Sequence, residues 1–194
     1  MTPVSGLINI PTGAPIYSGV LISTLCRSVS PGGSDAGDFM YLQSLRSKVL
    51  AAITANPYNS LLARSYRANL PGYLKALIAV YSTPFDAIVA PPSRRRHSRP
   101  YRLAFANAFP SAIDVTDRFS RRRGTSAGLA PSFSALHAAI RYRCKGDEAS
   151  LKSVLFIDDI LSTGTTAAVV CSHLQAAGMS ASAQFQIACA LWFA

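Results

Sequence analysis

Two adjacent carboxylates, Asp158 and Asp159, stand just upstream of a hydroxyl-rich loop around one glycine: Ser162, Thr163, Gly164, Thr165 and Thr166. Hydroxyl donors and a glycine that admits close approach to the backbone suit a phosphate. The paired carboxylates repel that phosphate and suit instead the hydroxyls of an attached sugar, or a magnesium ion. Phosphate-loving and sugar-loving elements side by side describe a site for a 5-phosphoribosyl group.

The flanking pattern says what must position these groups. Val154, Leu155, Phe156 and Ile157 form an unbroken apolar run, the mark of a strand buried on both faces of a parallel sheet. Ala167, Ala168, Val170, Cys171 and Leu174 then recur at helical spacing, and Gly178 can end that helix. The loop therefore falls where a strand's carboxyl end meets a helix N-terminus, whose first amides have no internal partner. An apolar strand ending in Asp-Asp also fits a Walker B strand, but the chain has no G-x-x-x-x-G-K-[ST] sequence. An ordinary strand-to-helix turn with an Asp cap accounts for one carboxylate and one hydroxyl, not for two of the first and four of the second.

The segment 154–166 resembles the phosphoribosyl diphosphate (PRPP) signature of type I phosphoribosyltransferases: four apolar residues, two acidic, two apolar, then a Thr-Gly-x-Thr-like loop. The resemblance implies that Asp158 and Asp159 hold the ribose 2′- and 3′-hydroxyls. Ser162, Thr163, Gly164, Thr165 and Thr166 would hold the 5′-phosphate. It also implies a diphosphate loop after a neighbouring strand, a place taken by Pro92, Ser93 and Arg94 after the apolar run at 85–90, with Arg99 close behind. The activity so implied is Mg²⁺-dependent transfer of the 5-phosphoribosyl group from PRPP to a nitrogenous acceptor, with diphosphate released. Asp158, Asp159 and Arg94 would be its catalytic residues. Ser162 stands where some members carry an acid for base chemistry, and a serine cannot replace it unaided.

The order of segments also resembles, more weakly, the competence-associated ComF-like branch: an Asp86-led strand, a proline-containing loop, an Arg-rich stretch, the run Arg121-Arg122-Arg123-Gly124-Thr125, then the signature. Two of that branch's features are missing. There is no cysteine-rich zinc module, and Arg99-Pro100-Tyr101-Arg102 stands where an Arg-Gly-Phe-Asn stretch is expected.

Strands and helices alternate from residue 85 onward. Strands are expected at 85–90, 112–115, 154–157 and 183–191, and helices at 103–109, 132–141 and 165–177. The two Arg-rich segments are read as loops. This predicts an α/β fold, a doubly wound and mainly parallel sheet flanked by helices, with extra N-terminal helices. Residues 85–194 would form that core, and residues 1–84 an extension packing on or capping it. Within the extension, a β-leaning piece is read at 17–25 and helices at 38–53, 61–66 and from Pro71 to about Tyr81.

Nineteen basic residues face nine acidic ones, for a net charge of +10, and fifteen of the nineteen are arginine. Arg94, Arg95, Arg96, Arg99 and Arg102 form one cluster; Arg118, Arg121, Arg122 and Arg123 form another. Arginine's planar fork matches phosphate oxygens, so the clusters imply a polyanion, either a diphosphate or a nucleic acid. The alternative function is therefore a non-catalytic protein that senses a phosphorylated ribose or nucleotide and binds nucleic acid through these clusters. The four cysteines are scattered and fit reduced core positions, with Cys171 and Cys189 on apolar elements. Tyr101, Phe105, Phe119 and Phe133 are available for stacking on a base, but core packing is their expected role. His173 reads as structural, His97 as within reach of a phosphate. No run reaches the roughly 20 apolar residues of a membrane span. The first basic residue, Arg27, follows rather than precedes the apolar stretch at 14–26, the wrong polarity for a secretory signal. A cytoplasmic protein that does not bind membranes is expected, with homodimerisation left open.

Overall fold

Strand β3 (Ala87–Val89) is cut short by Pro91 and Pro92, which have no N–H to give a ladder, and this decides where the sheet opens. The structure, a computed structural model, describes residues 4–10, 17–28, 71–72, 74–92, 98–122, 132–161 and 164–193. The helices expected at 38–53 and 61–66 lie outside them.

Six strands form one sheet: β1 (Val4–Ile10), β2 (Tyr17–Ser28), β3, β4 (Ile113–Asp114), β7 (Ser153–Leu161) and β8 (Gln184–Phe193), in the order β1-β2-β8-β7-β3-β4. Every neighbouring pair is parallel except β1 with β2. Helix α1 (Arg99–Ala108) connects β3 to β4, and α3 (Thr165–Ala176) connects β7 to β8. The chain moves outward from β3 to β4 but in the opposite direction from β7 to β8. Strand order therefore reverses between β3 and β7, the place where open α/β sheets bind ligands.

The period-2 alternation of β3, β7 and β8 sorts residues onto two buried faces. Ala87, Val89, Val154, Phe156, Ile187 and Cys189 pack with α3 and with α2 (Phe133–Ala139). Ile88, Leu155, Ile157 and Ala188 pack with Tyr101 and Phe105 of α1 and with Leu74 and Leu77 from the helical residues at 74–78. A sheet covered on both faces by helices is the expected α/β arrangement. The register of β3 on β7 is pinned at its start by Asp86. Its carboxylate accepts the N–H groups of Lys152 and Ser153, both at 2.8 Å, and the Lys152 amide above all holds its pKa below the usual carboxylate value.

Several elements differ from the sequence reading. Residues 4–10 and 17–28 form two strands, and β2 joins the sheet along β8. Helix α1 begins at Arg99 rather than 103, because Pro100 suits a first helical turn, where its missing N–H costs nothing. Arg99 and Arg102 are thus helical, not loop, residues. Helix α2 stops at Ala139, and Ile140–Tyr142 forms β6, which pairs antiparallel with β5 (Phe119–Arg121). The second Arg-rich segment, read as loop, is a 3-10 turn (Thr116–Arg118) followed by that strand; residues 123–131 lie outside the described residues.

Where α2 meets α3, His137 and His173 stack with ring centroids 4.2 Å apart and planes 14° apart. Phe133 flanks one ring at 5.6 Å and Phe119 the other at 6.4 Å. Burial, then the charge of His137, depresses the pKa of His173 below 6.5. A histidine depressed in the fold takes its proton more readily in the unfolded chain, so stability falls as pH drops below the unfolded value. The depressed carboxylates of Asp86, Asp147 and Glu148 lose their contributions only at lower pH, below their unfolded values of 3.8 to 4.5. The melting temperature is therefore expected to fall between pH 7.5 and 5.5, and His173→Gln to flatten that slope in a thermal melt. A wild-type melting temperature constant over this range contradicts it. Among the described residues, no helix is long and apolar enough to cross a membrane.

Candidate functional site

β7 outlasts the strand beside it. Its last pair with β3 is Phe156 with Val89, whereas it pairs with β8 through Leu161 and Trp192. The two prolines end the β3 ladder, so among the described residues β3 does not pair with the stretch of β7 past Phe156. Asp158 and Asp159 sit on that stretch, still within the strand rather than in the loop after it, and both are half-buried. Alternation places Asp158 on the face of Phe156 and Asp159 on the face of Ile157, so the two carboxylates flank the strand instead of lying side by side. The Asp159 N–H donates to Asp158 Oδ1 at 2.8 Å, which ties the first side chain to the strand.

Past Leu161 the chain turns into α3. Gly164 is the residue before the helix and has φ 71°, a left-handed conformation that a side chain would strain. Its carbonyl accepts the Ala168 N–H at 3.0 Å. Thr165 and Thr166 are the first two helical residues and are half-buried. The N-terminus of α3 has no side-chain cap and no acid in its first turn. By contrast, Ser132 caps α2 by accepting the Ala135 N–H at 3.3 Å. An uncapped helix end of partial positive charge beside two carboxylates can hold a phosphate and polyol hydroxyls at once. Ser162 and Thr163 lie outside the described residues.

A cleft of 440 Å³ opens beside this corner, over the carboxyl ends of β3 and β4. Ala90, Pro91 and Pro92 form one side, the first turn of α1 with Ser98, Arg99 and Arg102 another, and Thr116, Asp117 and residues 119–121 the third. Of the residues expected to bind diphosphate, Pro92 and Arg99 line this cavity, together with Arg102 and Arg121 of the Arg clusters and Phe119. Asp158, Asp159, Gly164, Thr165 and Thr166 do not line it; they belong to the corner. Ser93 and Arg94 lie outside the described residues. Sequence reading missed Ser98 and Thr116, although Ser98 followed by Pro100 is a helix-start signal.

Thr116 fixes the mouth of the cleft. Its Oγ1 accepts the Ala90 N–H at 2.9 Å, the last amide before the prolines. Ala90 is buried, so removing that hydroxyl takes this acceptor from a buried amide. Thr116→Val, which keeps the side-chain shape, is expected to cost about 1–3 kcal/mol. Urea unfolding checks this, and an unchanged midpoint would show that another acceptor takes over.

Two arginines of the clusters are committed to carboxylates. Arg102 lies 3.0 Å from Asp114 and 3.2 Å from Asp117. Arg118 donates to both oxygens of Asp147, with Nη2 2.7 Å from Oδ2, and to Glu148 Oε1 at 3.2 Å. The bonds to Asp147 above all raise its pKa well above the normal guanidinium value. Glu148 is fully buried and also accepts from the Tyr142 hydroxyl, the Cys144 thiol at 3.1 Å, and the N–H groups of Lys145 at 2.9 Å and Gly146 at 2.8 Å. Burial opposes its charge, but the hydrogen bonds win and hold the carboxyl well below its usual value. The same burial, with Glu148 alongside, pushes the Tyr142 phenol up. This network anchors β6 and the turn after it; it is structural.

The aromatic residues available for stacking are core residues: Tyr101, Phe105 and Phe119 are buried and Phe133 packs against the core. Cys171 and Cys189 are buried core residues. His97 lies outside the described residues. No family model matches the chain, and no curated protein matches it.

Proposed function

We propose that the chain is a Mg²⁺-dependent phosphoribosyltransferase with a type I phosphoribosyltransferase-like core. PRPP would bind where β7 meets α3, and its diphosphate would point across the prolines toward the α1 cleft. The supporting observation is the placement of two half-buried carboxylates on β7 beyond its last pair with β3, just before an uncapped helix, at the reversal of strand order. Asp158 and Asp159 hold the ribose hydroxyls; Gly164, Thr165 and Thr166, with Ser162 and Thr163, hold the 5′-phosphate. Among the described residues no three ligating side chains cluster into a metal cage. One carboxylate can serve magnesium nonetheless, since that ion keeps several waters and is held largely through substrate phosphates.

In the reaction the bond from ribose C1 to the diphosphate oxygen breaks, a bond from C1 to the acceptor nitrogen forms, and the nitrogen's proton passes to solvent. Magnesium, when bound, neutralises charge on the departing diphosphate. The protein's share is positioning and charge: Asp158 and Asp159 fix the ring while C1 moves, and Arg94 and Arg99 meet the leaving group. The test is acceptor-dependent release of diphosphate from PRPP, assayed over a panel of nitrogenous bases and amines with Mg²⁺. Release with at least one acceptor is expected. Tight PRPP binding without release from any acceptor would favour the sensing alternative.

A further inference from the structure

The ribbon of β5 and β6 turns one face to the core and the other to solvent. Phe119 and Ile140 are buried, and the ring of half-buried Tyr142 lies 4.5 Å from that of Phe119. Alternation therefore points Ser120, Arg122 and Arg141 outward, and all three are exposed. The pairing continues past both strands. The Arg143 N–H donates to the Arg118 carbonyl at 2.9 Å, and the Arg122 N–H to that of Ala139 at 3.0 Å. Arg143 thus shares the outward face with Arg141 and is exposed as well. Arg118 has the same parity but is drawn aside by Asp147 and Glu148, whose charges it offsets. Among the described residues, neither Arg141 nor Arg143 makes an ion pair.

Two residues along an antiparallel strand span about 6.8 Å, and the diagonal step from Arg141 to Arg122 is roughly 7–8 Å. Arg143, Arg141 and Arg122 therefore stand in one evenly spaced row, at the interval of successive phosphates along a DNA strand. A site for one small anion gathers its donors; this row spreads them. Arginine's fork matches phosphate oxygens, and the net charge of +10 attracts a polyanion. A lipid surface calls for apolar side chains beside the cations, whereas the exposed neighbour in this row is Ser120. No exposed aromatic stands on this face to stack on a base, so the row meets phosphates and reads no sequence. A duplex holds its phosphates at a fixed interval, as a flexible single strand does not.

We propose that the outward face of the β5–β6 ribbon, through Arg141 and Arg143, docks the phosphate backbone of a DNA duplex independently of its sequence. Neither arginine belongs to the two clusters evident in the sequence, and neither lines the α1 cleft.

The test is fluorescence anisotropy of labelled DNA, a duplex and one of its single strands, titrated with the full chain at several KCl concentrations. The duplex is expected to bind with a Kd of about 10⁻⁴–10⁻⁶ M, the range of sequence-independent contacts. A second duplex of different sequence should bind equally well. Arg141→Gln with Arg143→Gln is expected to weaken binding on the order of tenfold or more, and to lower the slope of log K against log salt by about 2. Both side chains are exposed, so the melting temperature should not move. Lys75 supplies the control: it is exposed among the helical residues that pack on the opposite face of the sheet. Arg141→Gln alone should cost about one unit of that slope, and Lys75→Gln, which removes the same charge, none. No binding of either duplex at low salt overturns the proposal. So does a slope lowered equally by Lys75→Gln and Arg141→Gln, or tighter binding of the single strand. The phosphoribosyl reading is judged separately, on PRPP binding by the unmodified chain.

Discussion

Asp158→Asn with Asp159→Asn is expected to abolish the thermal stabilisation that PRPP and Mg²⁺ give the wild type. At a ligand concentration one hundred times Kd, binding stabilises a fold by about 2.7 kcal/mol. For a chain of this size that is roughly 5–10 °C in melting temperature. Asparagine is isosteric, and its amide oxygen can still accept the Asp159-position N–H that Asp158 Oδ1 accepts at 2.8 Å. The unliganded melting temperature is therefore expected to stay close to wild type. The lost charges are the ones that grip ribose hydroxyls and a hydrated cation, so the ligand-induced shift should vanish in differential scanning fluorimetry. A double variant that keeps the full shift would place PRPP elsewhere.

The largest effect on stability is expected from Glu148→Ala. The carboxylate is wholly buried and satisfies five donors: Arg118, the Tyr142 hydroxyl, the Cys144 thiol and the amides of Lys145 and Gly146. Removing one member of a buried charged pair costs about 3–5 kcal/mol, because its partners stay desolvated. Here a half-buried phenol and two amides lose their acceptor as well. Measured as a urea midpoint at pH 7, this is a large part of the roughly 5–15 kcal/mol that holds a domain together. Glu148→Gln keeps one acceptor oxygen but turns an NH₂ group on donors, and should fall between the two. A midpoint within experimental error of wild type would mean that water replaces the carboxylate.

Much of what positions the site was legible in the chain. The unbroken run at 154–157 announced a strand buried on both faces. The helix from Thr165 and the parallel partner strand near Ile88 followed from periodicity and from the proline stop. These are local patterns, and local patterns survive in a sequence. The course of β7 beyond Ile157 was not legible, because it depends on β8 staying paired after β3 has stopped. The divergence of Asp158 and Asp159 onto two faces is the same non-local fact. Arg118 read as a polyanion ligand because its partner, Glu148, stands thirty residues away and carries no local signal of the pairing. Nothing in a linear sequence marks which glutamate will be buried. The pairing of β5 with β6 was hidden likewise, since three-residue strands carry too little alternation to stand out. Ser98 was passed over because the helix was started at 103, which left the serine in a loop with no role.

Calorimetric titration of PRPP into the unmodified chain, with and without Mg²⁺, tests the central claim most directly. The account expects one PRPP per chain, tighter with Mg²⁺ than without. Ribose 5-phosphate should bind more weakly because it lacks the diphosphate, and a nucleobase alone should give no heat in the absence of PRPP. No heat from PRPP under either condition, in a chain shown by its melting curve to be folded, contradicts it.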